Sequence, residues 1–305
     1  DEDPDLALTY INASIEMNPS DQVIKGIKLL LATRQGNHEA AIAVYKELIA
    51  ADPKDITYYP LLIGYLRSQD RGDEADVLLR NLATSTPDSV ELKVWLSLNL
   101  SRETLSDIAE GTIKSFIIDH PEEHKLRFAL ASVYLASQRP ADADIVFQEI
   151  IALDKNGADA QSARGAIATF AWTVDKDRAT SEAMVDEILV IEESNATALG
   201  LKATFKLLDG DSIGAITDLR TALKSDPTSV GIALMLGDAY TANNSLDLAL
   251  DAYRNALELS PNDAVAVQKI SQLLVNQNEY TAAESILTSY LAQAPKNVEA
   301  RVLLI

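Results

Sequence analysis

Two of the three histidines, His120 and His124, stand four residues apart in His120-Pro121-Glu122-Glu123-His124. On one continuous helix that spacing stacks two imidazoles on the same face and offers zinc two nitrogen ligands. Pro121 stands between them. Its ring locks φ and it has no N–H to donate, so the pair reads as turn residues and no metal site is expected. Asp154-Lys155-Asn156-Gly157-Ala158-Asp159 and Asp209-Gly210-Asp211 carry the carboxylates, amide and glycine of calcium loops. Neither has the ligand order or the closing bidentate glutamate of an EF-hand, and Asp, Asn and Gly serve turns equally well. There is no glycine-rich phosphate loop, no nucleophile elbow and no acid pair at a special site. The chain has no cysteine, which removes thiolate nucleophiles, zinc thiolates and disulfides. The expectation is a non-enzymatic protein with no catalytic residues, no metal and no cofactor.

The elements that carry these residues follow a fixed period. Ala7, Ala41, Ala75, Ala109 and Ala143 are 34 residues apart, and after one longer step Ala215, Ala249 and Ala283 resume the spacing. Proline follows twelve residues later at Pro19, Pro53, Pro87, Pro121, Pro227, Pro261 and Pro295. A period of this length means one supersecondary unit stacked repeatedly. The unit is a helical hairpin. Residues 264–276 place Val265, Val267, Ile270, Leu273 and Leu274 at helical spacing. Asn276-Gln277-Asn278-Glu279 interrupts them, and 281–293 resume the rhythm through Ala282, Ala283, Ile286, Leu287 and Leu291. The proline that follows stops the second helix. The recurring alanine is expected where two helices cross closely, since a larger side chain would overpack the contact. Tyr45, Phe147 and Tyr253, four residues later, lie one turn along the same face and are expected to fill the space between hairpins.

Residues 1–19 read as the second helix of a unit whose first helix is missing. Full units follow at about 22–53, 56–87, 90–121, 124–155, 158–193, 196–227, 230–261 and 264–295, and 296–305 begin another first helix. The reading is one solenoid domain over 1–305, a segment of a longer protein. The unit at 158–193 is four residues longer, with Lys155 at the proline place and Ser181 at the alanine place. The extra residues are expected to add one turn to its first helix near Phe170–Asp177. Pro60, near the start of a first helix, is harmless if that helix begins late and kinks it otherwise.

The best copy of the pattern, Leu236-Gly237 with Tyr240, then Ala249, Tyr253, Ala256 and Pro261, resembles the tetratricopeptide repeat, and the resemblance spans nearly the whole chain. It implies an all-α, right-handed superhelical solenoid of antiparallel helix pairs whose first helices line a groove for a peptide or helix. At the groove places of that family stand Arg67, Val94, Leu98, Arg102, Lys125, Phe128, Leu135, Phe170 and Leu234. The lining is mostly apolar or neutral, and Arg67, Arg102 and Lys125 are placed to orient an acidic group. The family's chaperone-tail clamp needs Lys and Asn at the fifth and ninth places. Here the pairs are Gly26/Leu30, Pro60/Gly64, Val94/Leu98, Phe128/Ser132 and Leu234/Asp238, so that role is disfavoured.

The formal net charge is −20, from 46 acidic and 26 basic residues. With no basic run, nucleic acid and anionic membrane surfaces are poor partners, and no apolar stretch is long enough to span a bilayer. The expected partner is a protein or peptide. The long array resembles bacterial repeat proteins of the cell envelope that serve exopolysaccharide assembly or protein sorting, which favours periplasm or envelope over cytoplasm. The alternative is a regulatory or targeting segment of a larger enzyme such as a glycosyltransferase.

Overall fold

Short polar residues start the helices by accepting from backbone N–H groups that have no partner in the first turn. Asp21 accepts from Val23 and Ile24, Ser89 from Leu92, Asn195 from Ala198, Ser229 from Ile232 and Asp263 from Ala266. Asn37, Asp177 and Asp211 cap second helices in the same way. In the computed structural model, residues 4–18, 21–102, 105–294 and 298–303 are described. Pro19 and Pro295 lie outside them. The described secondary structure is all helical.

The chain forms two compact units, Asp1–Ile150 and Ile151–Ile305. The first holds α1 (Pro4–Met17), α2 (Gln22–Arg34), α3 (His38–Ala51), α4 (Tyr58–Ser68), α5 (Gly72–Thr84), α6 (Val90–Leu100), α7 (Ser106–Asp119), α8 (His124–Ala136) and most of α9 (Pro140–Leu153). The second holds α10 (Ala158–Phe170), α11 (Arg178–Ile191), α12 (Ala196–Leu208), α13 (Ser212–Ser225) and α14 (Val230–Ala242). It continues with α15 (Leu246–Leu259), α16 (Ala264–Asn276), α17 (Tyr280–Gln293) and α18 (Val298–Leu303). Even-numbered helices from α2 are the first helices of each pair in either unit. Short turns fold each partner back antiparallel.

In seven of the pairs the turn between the two helices closes through a left-handed residue. These are Gly36, Asp70, Gln138, Lys176, Gly210, Asn244 and Asn278, with φ between 56° and 83°. Their register keeps the period of 34, with two periods between Asp70 and Gln138 and 38 residues between Gln138 and Lys176. The inserted residues therefore lie before Lys176, as expected. They extend α10, but as a π-helical turn, Ala171–Asp175, rather than an α turn. A π turn absorbs inserted residues without rotating the buried stripe out of the core. It also directs Trp172 edge-on to Phe205 of α12, with centroids 5.2 Å apart. The Arg178 guanidinium lies 5.1 Å from the centroid of the same ring.

The recurring small residues are core. Ala41, Ala75, Ala109, Ala143, Ala215, Ala249, Ala283 and Ser181 are all buried. Ser181 differs because its hydroxyl donates to the Ala168 carbonyl at 2.8 Å, next to the π turn. Phe147 and Tyr253 are buried and Tyr45 is half-buried against Tyr65. Pro60 is the third residue of α4, which begins late at Tyr58. A first-turn N–H has no helical acceptor, so the proline removes no bond there.

Candidate partner-binding face

Val94, Leu98 and Arg102 follow each other at four-residue spacing along α6 and its end, so they form one stripe. Lys125, Phe128 and Leu135 form the matching stripe of α8, and α6 packs directly against α8. Arg67 closes α4, which meets α6 through the Tyr59 and Trp95 rings, 6.2 Å apart. The first unit thus brings six of the nine expected residues onto three neighbouring first helices, with Arg102 two residues past the end of α6. Leu98 is 55% exposed and Leu135 37%. Val94 and Phe128 are half-buried. Phe128 also contributes to packing, its ring tilted 52° against Phe147. Phe170 and Leu234 stand in the second unit, on α10 and α14. Leu234 packs against the buried clusters around Tyr253 and Ala256, so its side chain serves the core first.

The cations of this face are incompletely neutralised. Arg67 approaches Asp76 only to 3.9 Å, and its Nη2 is buried without a hydrogen bond. Burial and then repulsion from Arg102 hold its pKa below the usual guanidinium range, against a smaller opposing pull from Asp76. Arg102 and Lys125 are exposed, and neither has an ion pair among the described residues.

A column of buried polar side chains was not anticipated. Lys25, Tyr59, Lys93, Arg127 and Gln161 occupy one place in successive first helices and are all buried. Tyr59 donates to the Pro53 carbonyl at 2.9 Å, and Arg127 to that of Pro121 at 2.6 Å. Lys93 reaches Asp119 at 3.3 Å and Asp88 at 3.6 Å, with His120 Nε2 2.9 Å away. One helical turn after Gln161, Arg164 donates to the Lys155 carbonyl at 2.9 Å. These donors tie the loop that closes one pair to the first helix of the next and give its carbonyl a partner, whereas the Gln161 amide and the Arg127 Nε are buried without a hydrogen bond. The signal was in the sequence as polar residues recurring at the same period of 34 on an otherwise apolar stripe.

Two of the three candidate ion sites are given over to structural roles. His120 ends α7 and His124 begins α8, so the two rings share no helix. Asp209 makes a two-point ion pair with Arg178 at 2.6 and 2.8 Å, and Asp211 caps α13. Among the described residues no three His, Asp or Glu side chains gather as a metal site. Two clefts open between second helices. One, of about 440 Å³, is floored by Leu130 and Tyr134 beside Ile145. The other, of about 290 Å³, is floored by Leu62 and Leu66 beside Val77, the same places two repeats earlier.

Sequence models of the tetratricopeptide repeat match residues 242–304, and residues 1–56 and 209–264. The chain is built of tetratricopeptide repeats. Superkiller complex protein 3 of Mus musculus is 24% identical over 250 residues, which is 69% of this chain and 16% of that protein. The chain therefore spans about a sixth of that relative's length. Three solved structures share the fold. The Cut9–Hcn1 hetero-tetramer of APC/C aligns with a TM-score of 0.58 at 16% identity, over 97% of this chain and 57% of that one. PilW, a type IV pilus biogenesis factor, aligns at 0.56 and 15% identity, over 70% of this chain and 98% of that one. A human IFIT1 dimer with m7Gppp-AAAA aligns at 0.50 and 17% identity, over 94% and 72% respectively. At these identities the likeness is one of fold. No described helix is long and apolar enough to cross a membrane.

Proposed function

We propose that this chain is a non-enzymatic scaffold that holds a peptide or helix of a protein partner on the first-helix face of α4, α6 and α8. Arg67, Val94, Leu98, Arg102, Lys125, Phe128 and Leu135 make that surface, and Phe170 offers a similar place in the second unit. Leu98 and Leu135 carry the reading. They expose large apolar side chains on adjacent helices whose other faces are fully packed, an arrangement that suits helix or peptide docking. Repeats of this kind generally serve protein–protein interaction, and Asp209 and Asp211 of one candidate ion loop are engaged in an ion pair and a cap. A place in bacterial envelope or exopolysaccharide assembly is the finer proposal. It rests on the resemblance of the long array alone and is tested by fractionating the tagged protein in its own host.

The binding surface is tested by photo-cross-linking in the native host, with a benzophenone side chain placed at position 98, 135 or 118. Ile118 is a control in the same unit, 79% exposed on a second helix. The same discrete protein captured from 98 and 135, and not from 118, is the expected result. Capture from 118 alone, or from none of the three, refutes the assignment.

A further inference from the structure

The charges of the first unit are sorted by helix. The whole chain is strongly acidic, with a net charge of −20. Yet α2, α4, α6 and α8 together hold seven basic residues and a single acidic one, Glu91. Their partners α3, α5, α7 and α9 hold eleven acidic and three basic residues. Two of the three second-helix cations are neutralised in place, and the third, Lys46, has no ion pair among the described residues. Arg80 grips Asp107 through two hydrogen bonds at 2.7 and 3.0 Å, and Lys114 meets Glu110 at 2.7 Å.

Three of the seven first-helix cations, Lys25, Lys93 and Arg127, are buried in the polar column. The rest include Arg34, which is exposed, and Lys125, and Arg102 follows directly after α6. Arg34, Arg102 and Lys125 have no ion pair among the described residues. Burial and the nearby Arg102 charge depress the Arg67 pKa, so an added anion between the two guanidiniums would relieve an existing repulsion. In a protein of this net charge, first-helix cations with no ion pair among the described residues form a local positive field that selects an opposite charge.

The apolar residues decide between classes of anion. Leu30, Leu61, Leu98 and Leu135 are between 37% and 55% exposed on the same helices as the cations. They offer nothing to a phosphate backbone. The aromatic rings that stacking of bases would need are engaged elsewhere: Tyr59 is buried against Trp95, and Phe128 leans on Phe147. Single cations dispersed over several helices, rather than a dense basic track, also fit spaced carboxylates better than a nucleic acid.

We propose that the segment bound on this face is an acidic amphipathic peptide, its carboxylates meeting Arg67, Arg102 and Lys125 and its apolar side chains resting on Leu98 and Leu135. This rests on the scaffold reading above and adds the chemistry of the partner. The test uses the full chain and fluorescence anisotropy with three probes: a labelled helical peptide of Glu and Leu at i, i+4 spacing, its Lys-for-Glu analogue, and a labelled oligouridylate. The acidic peptide is expected to bind at least tenfold more tightly than the other two. R102E/K125E, with unchanged circular dichroism, is expected to lose at least tenfold for the acidic peptide and to gain for the lysine analogue. L98D is expected to weaken both peptides. Equal or tighter binding of the lysine analogue overturns the proposal, as do preference for the RNA, indifference to R102E/K125E, or no peptide binding. Self-association sensitive to R102E, seen by sedimentation, overturns it in favour of a second copy whose acidic second helices supply the charge. If any of these occurs while positions 98 and 135 still cross-link one partner, the scaffold stands and only the acidic chemistry falls.

Discussion

Gly237 and Gly64 are both interior to first helices, yet the same substitution at each should have opposite signs. A Cβ on Gly237 would lie 2.2 Å from Cε1 and 2.4 Å from Cδ1 of Tyr253, against the 3.4 Å at which ordinary contact begins. The ring would have to retreat by about 1.2 Å, and it has little room, being only 3% exposed. It is also held at its far end. The Tyr253 hydroxyl donates to Asp238 at 2.6 Å and lies 3.3 Å from Thr241. Burial, with the Asp238 hydrogen bond, raises the phenol pKa well above the ordinary value, so this donor persists at every working pH. Replacing a mid-helix glycine by alanine contributes about 1 kcal/mol of helix propensity. Overpacking costs about 1–3 kcal/mol, and stretching a hydrogen bond to a carboxylate costs about 1.5–3 kcal/mol. The net expectation for Gly237→Ala is destabilisation by about 1.5–5 kcal/mol. At Gly64 a Cβ meets nothing within 4 Å, so Gly64→Ala should stabilise by about 1 kcal/mol. Urea unfolding followed by circular dichroism reads both midpoints. Repeating Gly237→Ala in a Tyr253→Ala background removes the clash, and its effect should there turn stabilising. If Gly237→Ala is harmless with Tyr253 intact, or equally harmful without it, the account is wrong.

Two further predictions concern the first unit. Glu110 accepts from Lys114 at 2.7 Å, Arg139 at 2.6 Å and Tyr134 at 3.0 Å, and these partners pull its pKa from 4.5 down to about 2. A depressed carboxylate stabilises the fold above its unfolded pKa and loses that contribution as pH falls through the folded one. The side chain is a third exposed, so about 1 kcal/mol remains after solvent screening. Glu110→Gln should therefore lower the urea midpoint at pH 7, and the gap to wild type should close as pH falls from 4.5 toward 2; a widening gap counts against the network. Gln138 holds φ at 56° in the place where other turns use Gly36 and Gly210. Gln138→Gly should stabilise by about 1 kcal/mol by removing left-handed strain, visible as a raised midpoint, whereas a lowered midpoint would mean that the side chain contributes more than the strain costs.

The period of alanine and proline was enough to specify helical pairs and their order. Periodic small residues report close helix crossings, a local consequence of side-chain volume, and every described alanine of the series is buried from Ala41 to Ala283. The longer step between Ala143 and Ala215 located the inserted turn for the same reason, since an insertion shifts register wherever it lands. The sequence did not show that the turn would be π-helical, because that depends on how Trp172 packs against Phe205 in the next pair. It also placed the first-helix stripes of α6 and α8, since helical spacing alone sets which residues share a face. Which of those residues are free was decided by tertiary packing: Leu98 remains exposed, Phe128 is partly spent on Phe147, and Leu234 is drawn into the core. Charge shows the difference most clearly. A net charge of −20 is a sum over the chain, and a sum has no direction. Only folding, which puts first and second helices on different sides of each pair and couples Arg80 and Lys114 to carboxylates, leaves Arg102 and Lys125 without an ion pair among the described residues of an acidic protein.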